Sequence, residues 1–255
     1  VVPPNGSLHY RNYFYLLKEE IMDKELNFFE EYVHSFDMTN RKIEHKYHHT
    51  LRVVEYAKEI AKSLNLDEKE YNRACVCALF HDLGRFPQVR DYDTFIDKES
   101  IDHGDKSYEV LIENNYNDDI VLKAVKYHNK KVVPKFDELT DMHCKLVRDA
   151  DKLDILVYFN NPIDEEILIP EGVLKYFKNH ELVDNSFAET KTLHSLRELS
   201  FVFDINYKKS MEIIVEKDLI NTKLNLIRTE KTKNDVEFIE KEVKNYIKER
   251  FDIIC

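Results

Sequence analysis

The stretch CVCALFHDLGRFP, residues 75–87, constrains the fold more than any other part of the chain. Six largely apolar residues run directly into His81 and Asp82 and then into a turn. Such a run belongs in a core, yet an imidazole and a carboxylate are expensive to bury unless something pairs or coordinates them. Whatever fold forms must therefore bring partners to these two side chains. Turn material narrows the choice, because the 255 residues include only four glycines and six prolines. So few breakers leave little for a many-stranded sheet and favour helices joined by short loops. The chain is expected to be all-α, and its 43% hydrophobic content is enough for a sizeable core.

Charge and cysteine usage exclude several classes of function. A formal charge of −11 leaves no broad basic surface for a phosphate backbone, so general nucleic-acid binding is not expected. A local basic pocket for a small phosphate ligand remains compatible with that charge. Cys75, Cys77, Cys144 and Cys255 match neither a paired zinc pattern nor a secreted disulfide framework, and read as reduced core thiols. No apolar run approaches the ~18–20 residues of a membrane span, and no signal-peptide core is seen near the start. The expected setting is cytoplasmic, with no membrane partner and an oligomeric state that the sequence leaves open. The opening VVPPNGS is excluded from the fold reading.

Apolar periodicity predicts helices over 10–35, 40–64, 67–82, 103–115, 117–129 and 140–160, then over 171–182, 190–216, 218–228 and 233–251. Asp67 is a candidate N-cap. Residues 84–101, with Gly84, Pro87 and several aspartates, read as a long loop of the kind that tends to be functional. The expected organisation is an N-terminal helical segment (1–41), a core (42–160) and a C-terminal helical extension packed on it (161–255).

Helical phase then assigns each polar residue to a face, since residues three, four and seven apart share one. His81 continues Ala74 with Cys77 or Ala78, and Asp82 continues Tyr71, Cys75 and Ala78, so both point inward. His128 ends the stripe of Val121, Ala124 and Val125. His49 continues Val53, Ala57, Ile60 and Leu64, whereas His48 lies with Arg52, Glu55, Glu59 and Lys62 and is expected to face water; His45 is borderline. Asp151 lies with Cys144, Val147, Ile155 and Tyr158, while Asp149 lies with Lys145 and Lys152, as an exposed carboxylate would. The inward set is His49, His81, Asp82, His128 and Asp151, with His103 opening a further helix in SIDHGDKS. Neutral imidazoles and carboxylates are ligands for divalent transition metals, and a carboxylate can bridge two ions.

The ordered set His49, His81–Asp82, Asp151 resembles the signature of the HD-domain superfamily, all-α metal-dependent phosphohydrolases. The strings KYHHTLRVVEYA, HDLGRF, DHGDKSYEVL, VKYHNK and RDADKLD carry the resemblance over about residues 42–155. His103 and His128 resemble the extra histidines of the binuclear subgroup. The resemblance implies an HD helical bundle in which His49, His81, Asp82 and Asp151 hold one metal ion, and the shared Asp82 with His103 and His128 holds the second. It implies a phosphomonoesterase or phosphodiesterase acting on a nucleotide or other small phosphorylated molecule through hydroxide drawn from a metal-bridging water. It leaves the substrate and the metal open among Fe, Mn, Mg, Co, Ni and Zn.

Asp82 is then the catalytic bridge, and Arg85 and Lys46 are the candidate cations for the remaining phosphate oxygens. Asn129 is a candidate to orient His128 or a bound water, or a simple helix cap. His9, His34, His45, His48, His143, His180 and His194 have no motif context and read as structural or surface residues. Two rival readings use much the same residues: a di-iron oxygenase of this fold and a non-catalytic nucleotide-binding module.

Overall fold

A computed structural model describes residues 23–158 and 167–254. Every regular element among these residues is helical. They divide into two units between Arg148 and Asp149, within one helix.

The first unit is built from α1 (Asp23–His34), α2 (Arg41–Ser63), α3 (Glu68–Phe80), α4 (Arg85–Tyr92), α5 (His103–Glu113), α6 (Asp119–Tyr127) and the start of α7 (Glu138–Tyr158). Its helices begin where short polar side chains satisfy the orphan N–H groups of a first turn. Asn40 accepts from Lys42 N, and Asp67, as its sequence position implies, accepts from Glu70 N. Asp102 accepts from Gly104 N and Asp105 N, and Asp118 does the same for Ile120 N and Val121 N. Helix α3 is central: it packs against α1, α2 and α6, while α4 and α5 pack on each other. All of Ala74–Phe80 is buried, so the apolar run delivers His81 and Asp82 into the core at its C-terminal end.

Residues 84–101 do not form one loop. Arg85–Tyr92 is helical and packs on α2 and α5; only the stretch after it is irregular, with a short 3-10 turn at Asp97–Glu99. Pro87 reads as a helix breaker, but it falls in the first turn, where a proline costs no hydrogen bond.

The second unit takes up the rest of α7, then α8 (Glu171–Asn179), α9 (Lys191–Leu199), α10 (Lys208–Glu216), α11 (Leu219–Ile227) and α12 (Lys233–Phe251). Helix α11 packs on α9, α10 and α12, and α8 packs on α12. The helix expected over 190–216 is interrupted by a 3-10 segment at Ser200–Asp204 and an extended Ile205–Tyr207. The reason is Asp149, whose carboxylate accepts the backbone N–H groups of Asn206 (3.0 Å) and Tyr207 (2.9 Å) and the Asn206 side chain (2.8 Å). Asp149 is fully buried, contrary to the exposed position its lysine neighbours implied, and Lys152 is buried as well, paired with Asp204 at 2.9 Å. Burial pushes the Asp149 carboxyl above the usual carboxylate range, partly offset by its hydrogen bonds to Asn206 and Tyr207. The expected helical residues 10–22 and 159–160, His9, and Cys255 lie outside the described residues; Cys75, Cys77 and Cys144 are buried.

Candidate metal centre

Four helices of the first unit bring imidazoles to the Asp82 carboxylate. His49 comes from the middle of α2, His81 and Asp82 from the end of α3, His103 from the first residue of α5 and His128 from the residue after α6. All five are buried. His49 Nε2 and His81 Nε2 each lie 3.5 Å from Asp82 Oδ2, and 3.3 Å from each other. His103 Nε2 and His128 Nε2 each lie 3.6 Å from Asp82 Oδ1, and 3.1 Å from each other. The carboxylate thus presents one oxygen to each histidine pair. Asp82 with His49 and His81, and Asp82 with His103 and His128, form two groups whose ligand atoms lie within 4.8 Å of one another.

Close backbone approach sets this convergence. A Cβ on Gly84 would stand 2.3 Å from His103 O and 2.8 Å from Ser107 N, so only glycine lets the α3–α4 turn meet the start of α5 so tightly. Ser107 Oγ accepts from Gly84 N (2.8 Å) and lies 2.8 Å from the carbonyl oxygens of His81 and His103. Ser107 is a supporting residue that periodicity alone does not pick out.

The ring orientations are fixed from behind. A backbone carbonyl only accepts, so His81 Nδ1 donates to Ala78 O (2.7 Å) and His128 Nδ1 donates to Val125 O (2.7 Å). His103 Nδ1 donates to the carboxylate of Asp97 (2.6 Å). In the neutral ring each of these three histidines therefore keeps its lone pair on Nε2. Burial, reinforced by the Arg85 charge, pushes His103 down to about 4, so it is neutral near pH 7. Burial alone would raise the Asp82 carboxyl, but the nearby Lys46 ammonium outweighs it and holds the group ionised, well below the usual range.

Two acceptor nitrogens facing each other at 3.1 Å beside a carboxylate repel unless a cation lies among them. A proton serves in the metal-free protein, but three convergent donors fit a divalent ion better. Nitrogens ~2.1 Å from one ion, at tetrahedral to octahedral angles, stand about 3.0–3.4 Å apart. The observed pairs fall in that interval.

Two cations and a network surround the centre. Lys46 Nζ donates to Asp82 Oδ2 at 2.8 Å and lies over the Phe95 ring. Arg85 Nη1 donates to Gln88 Oε1, Phe95 O and Asp97 Oδ1, while its buried Nε makes no hydrogen bond and lies 3.6 Å from Asp82 Oδ1. Asn129 reaches Asp102 Oδ1 (2.9 Å) and Asp97 Oδ2 (3.3 Å), on the His103 side rather than behind His128. His48 is half-buried, not solvent-facing, and burial lowers its pKa. His143 is buried against Glu70 at 2.8 Å. Asp151 lies on α7, half-buried, three residues beyond Arg148, whose guanidinium donates to His128 O (2.9 Å) and Lys130 O (2.7 Å). Asp97 and Gln88 were missed, because neither belongs to a periodic stripe; the only signal was the aspartate-rich composition after Arg85.

Similarity to known proteins agrees with this geometry. Residues 47–156 match the model of the HD domain family. The chain is 36% identical over 107 residues to proteins named Ribonuclease Y from two strains of Ureaplasma parvum serovar 3. The matched stretch covers 41% of this chain but only 19% of each relative. No solved structure matches significantly. No helix among the described residues is long and apolar enough to cross a membrane. It is residues 47–156, less than half of the chain, that resemble the HD domain family.

Proposed function

We propose that the centre around Asp82 is that of a metal-dependent phosphohydrolase, cleaving a phosphate ester of a nucleotide or another small phosphorylated molecule. The observation that carries this reading is the convergence of His103 Nε2 and His128 Nε2 on Asp82 Oδ1, at 3.6 Å each, mirrored by His49 Nε2 and His81 Nε2 at 3.5 Å from Oδ2. Two divalent ions held there would supply Lewis-acid activation of water and charge stabilisation at the phosphoryl oxygens. Asp82 is shared by both positions. The family resemblance adds Asp151 rather than Asp149 as a further ligand: helical phase sets the two about 200° apart, and the Asp149 carboxylate is committed to the Asn206 turn.

The chain's own cations orient the substrate. Arg85 keeps Nε unspent toward Asp82, suited to a phosphate oxygen, and Lys46 offers an ammonium that Asp82 already holds in place. The relatives named Ribonuclease Y add a ribonucleotide phosphodiester to the candidate substrates, although a net charge of −11 supplies no broad surface for a long polyanion.

The test is phosphate-ester cleavage over a panel of nucleoside mono- and triphosphates, cyclic dinucleotides, short oligoribonucleotides and p-nitrophenyl esters, with the metal content of the same preparation. Cleavage that chelator removes and divalent metal restores is expected. Oxygen uptake by a two-iron form without any ester cleavage would favour the oxygenase reading instead.

A further inference from the structure

The four histidines are not anchored alike. His81 and His128 lean on carbonyls of their own helices, Ala78 O and Val125 O, which no substitution removes. His103 opens its helix, has no preceding turn to lean on, and depends on the Asp97 side chain from the short 3-10 turn. Asp97 is itself held on several sides. Its Oδ1 accepts from Arg85 Nη1 (3.0 Å) and from Gln88 Nε2 (3.0 Å), and its Oδ2 takes His103 Nδ1 and Asn129 Nδ2. Gln88 is fully buried and also donates to Ser100 Oγ (2.8 Å) and Ile101 O (3.0 Å), which ties the irregular segment to α4.

We propose that Asp97 is the positioning residue of the ion site formed by Asp82, His103 and His128: it fixes His103 in the Nδ1–H tautomer, aims Nε2 at the site and holds Arg85 beside it. The inference rests on the two-ion reading above. A carboxylate partner makes the imidazole a stronger donor than a carbonyl does, and loss of such a partner typically weakens metal affinity by about 10–100-fold. Asp97 touches neither Asp82 nor the His49–His81 pair among its hydrogen bonds, so its effect is confined to one of the two sites.

The experiment is a calorimetric titration of metal-free full chain with Mn²⁺, comparing wild type, Asp97→Asn and His103→Ala. Wild type is expected to bind two ions per chain, and His103→Ala to lose one of them. Asp97→Asn should keep one ion at wild-type affinity, which also shows that it has folded, and bind the other about 10–100-fold more weakly. Two ions at wild-type affinity in Asp97→Asn overturn the inference alone. One ion or none in wild type overturns the two-ion reading and the inference with it. A second measurement needs no Asp97 variant: long-range ¹H–¹⁵N spectra of the metal-free wild type, with His103 assigned by difference from His103→Gln, should show the ring protonated at Nδ1. Protonation at Nε2 alone would overturn the inference whatever the variants do.

Discussion

The two units bury polar groups in opposite ways. In the second, donors meet acceptors: Lys223 Nζ lies 2.6 Å from Glu198 within the core, the Tyr246 hydroxyl donates to Phe203 O at 3.0 Å, and Asp149 receives the N–H groups of Asn206 and Tyr207. In the first, at the centre around Asp82, imidazoles converge on one carboxylate: His103 Nε2 and His128 Nε2 lie 3.1 Å from each other and 3.6 Å from Asp82 Oδ1. Buried polarity of the first kind holds a fold together, and its removal is read as lost stability. Polarity of the second kind opposes folding unless a cation joins it, and so marks a site of chemistry. Burial alone does not separate the two, since Asp82 and Asp149 are both buried carboxylates. Partner type does.

Substitutions can break this contrast, and the largest effect is expected at its centre. Asp82→Asn should abolish metal binding and lower ester cleavage by more than ~10³-fold, because an ion held there would stabilise the transition state at least as well as a preorganised hydrogen-bond donor. Metal content and rate measured on one preparation check it. Asp151→Asn should cost the ion of the His49–His81 side and leave the other bound, read as a stoichiometry of one.

Effects on stability without effects on metal are expected from the second unit. Glu198→Gln removes the charge facing Lys223 and should destabilise the chain by ~3–5 kcal/mol, as breaking a buried pair from one side does. Asp149→Asn places an amide NH₂ against the N–H groups that its carboxylate now accepts, at a cost of ~1–3 kcal/mol. Urea unfolding measures both, and each variant should keep two ions.

A smaller effect sharpens the contrast within the first unit, where His143 is buried but paired. Burial holds its imidazole below the ordinary 6.5, against the pull of Glu70. Below 6.5 the unfolded chain therefore binds a proton that the folded one resists, so this contribution to stability is complete above 6.5 and falls as pH drops toward the folded value. His143→Gln should flatten the acid side of the stability profile slightly without changing metal binding.

Much of the first unit was legible in the sequence because its signals are local. The stripe Val53, Ala57, Ile60 carries His49 inward, the run Ala74–Phe80 delivers His81 and Asp82, and Asp67 caps its helix, each within a few turns of the residue concerned. The centre was legible as residue types, but its support was not. Asp97 and Gln88 act across the gap between α4 and α5, where no periodicity exists to flag them. Asp149 was misjudged for the same reason: its local lysines implied a solvated face, while the donors that bury it come from Asn206 and Tyr207, 57 and 58 residues away. Helix α4 was hidden by Gly84 and Pro87, read as breakers; Gly84 instead permits the close approach to His103, and Pro87 occupies the first turn.

The central claim is that the Asp82 carboxylate divides two cation sites, one per oxygen. Anomalous diffraction from crystals grown with Mn²⁺ tests it most directly. Two peaks flanking Asp82 are expected, one against His49 and His81 and the other against His103 and His128, each ~2.0–2.3 Å from its ligand atoms. Crystals that retain this arrangement of the four imidazoles, yet show no anomalous peak within coordination distance of Asp82, would contradict it.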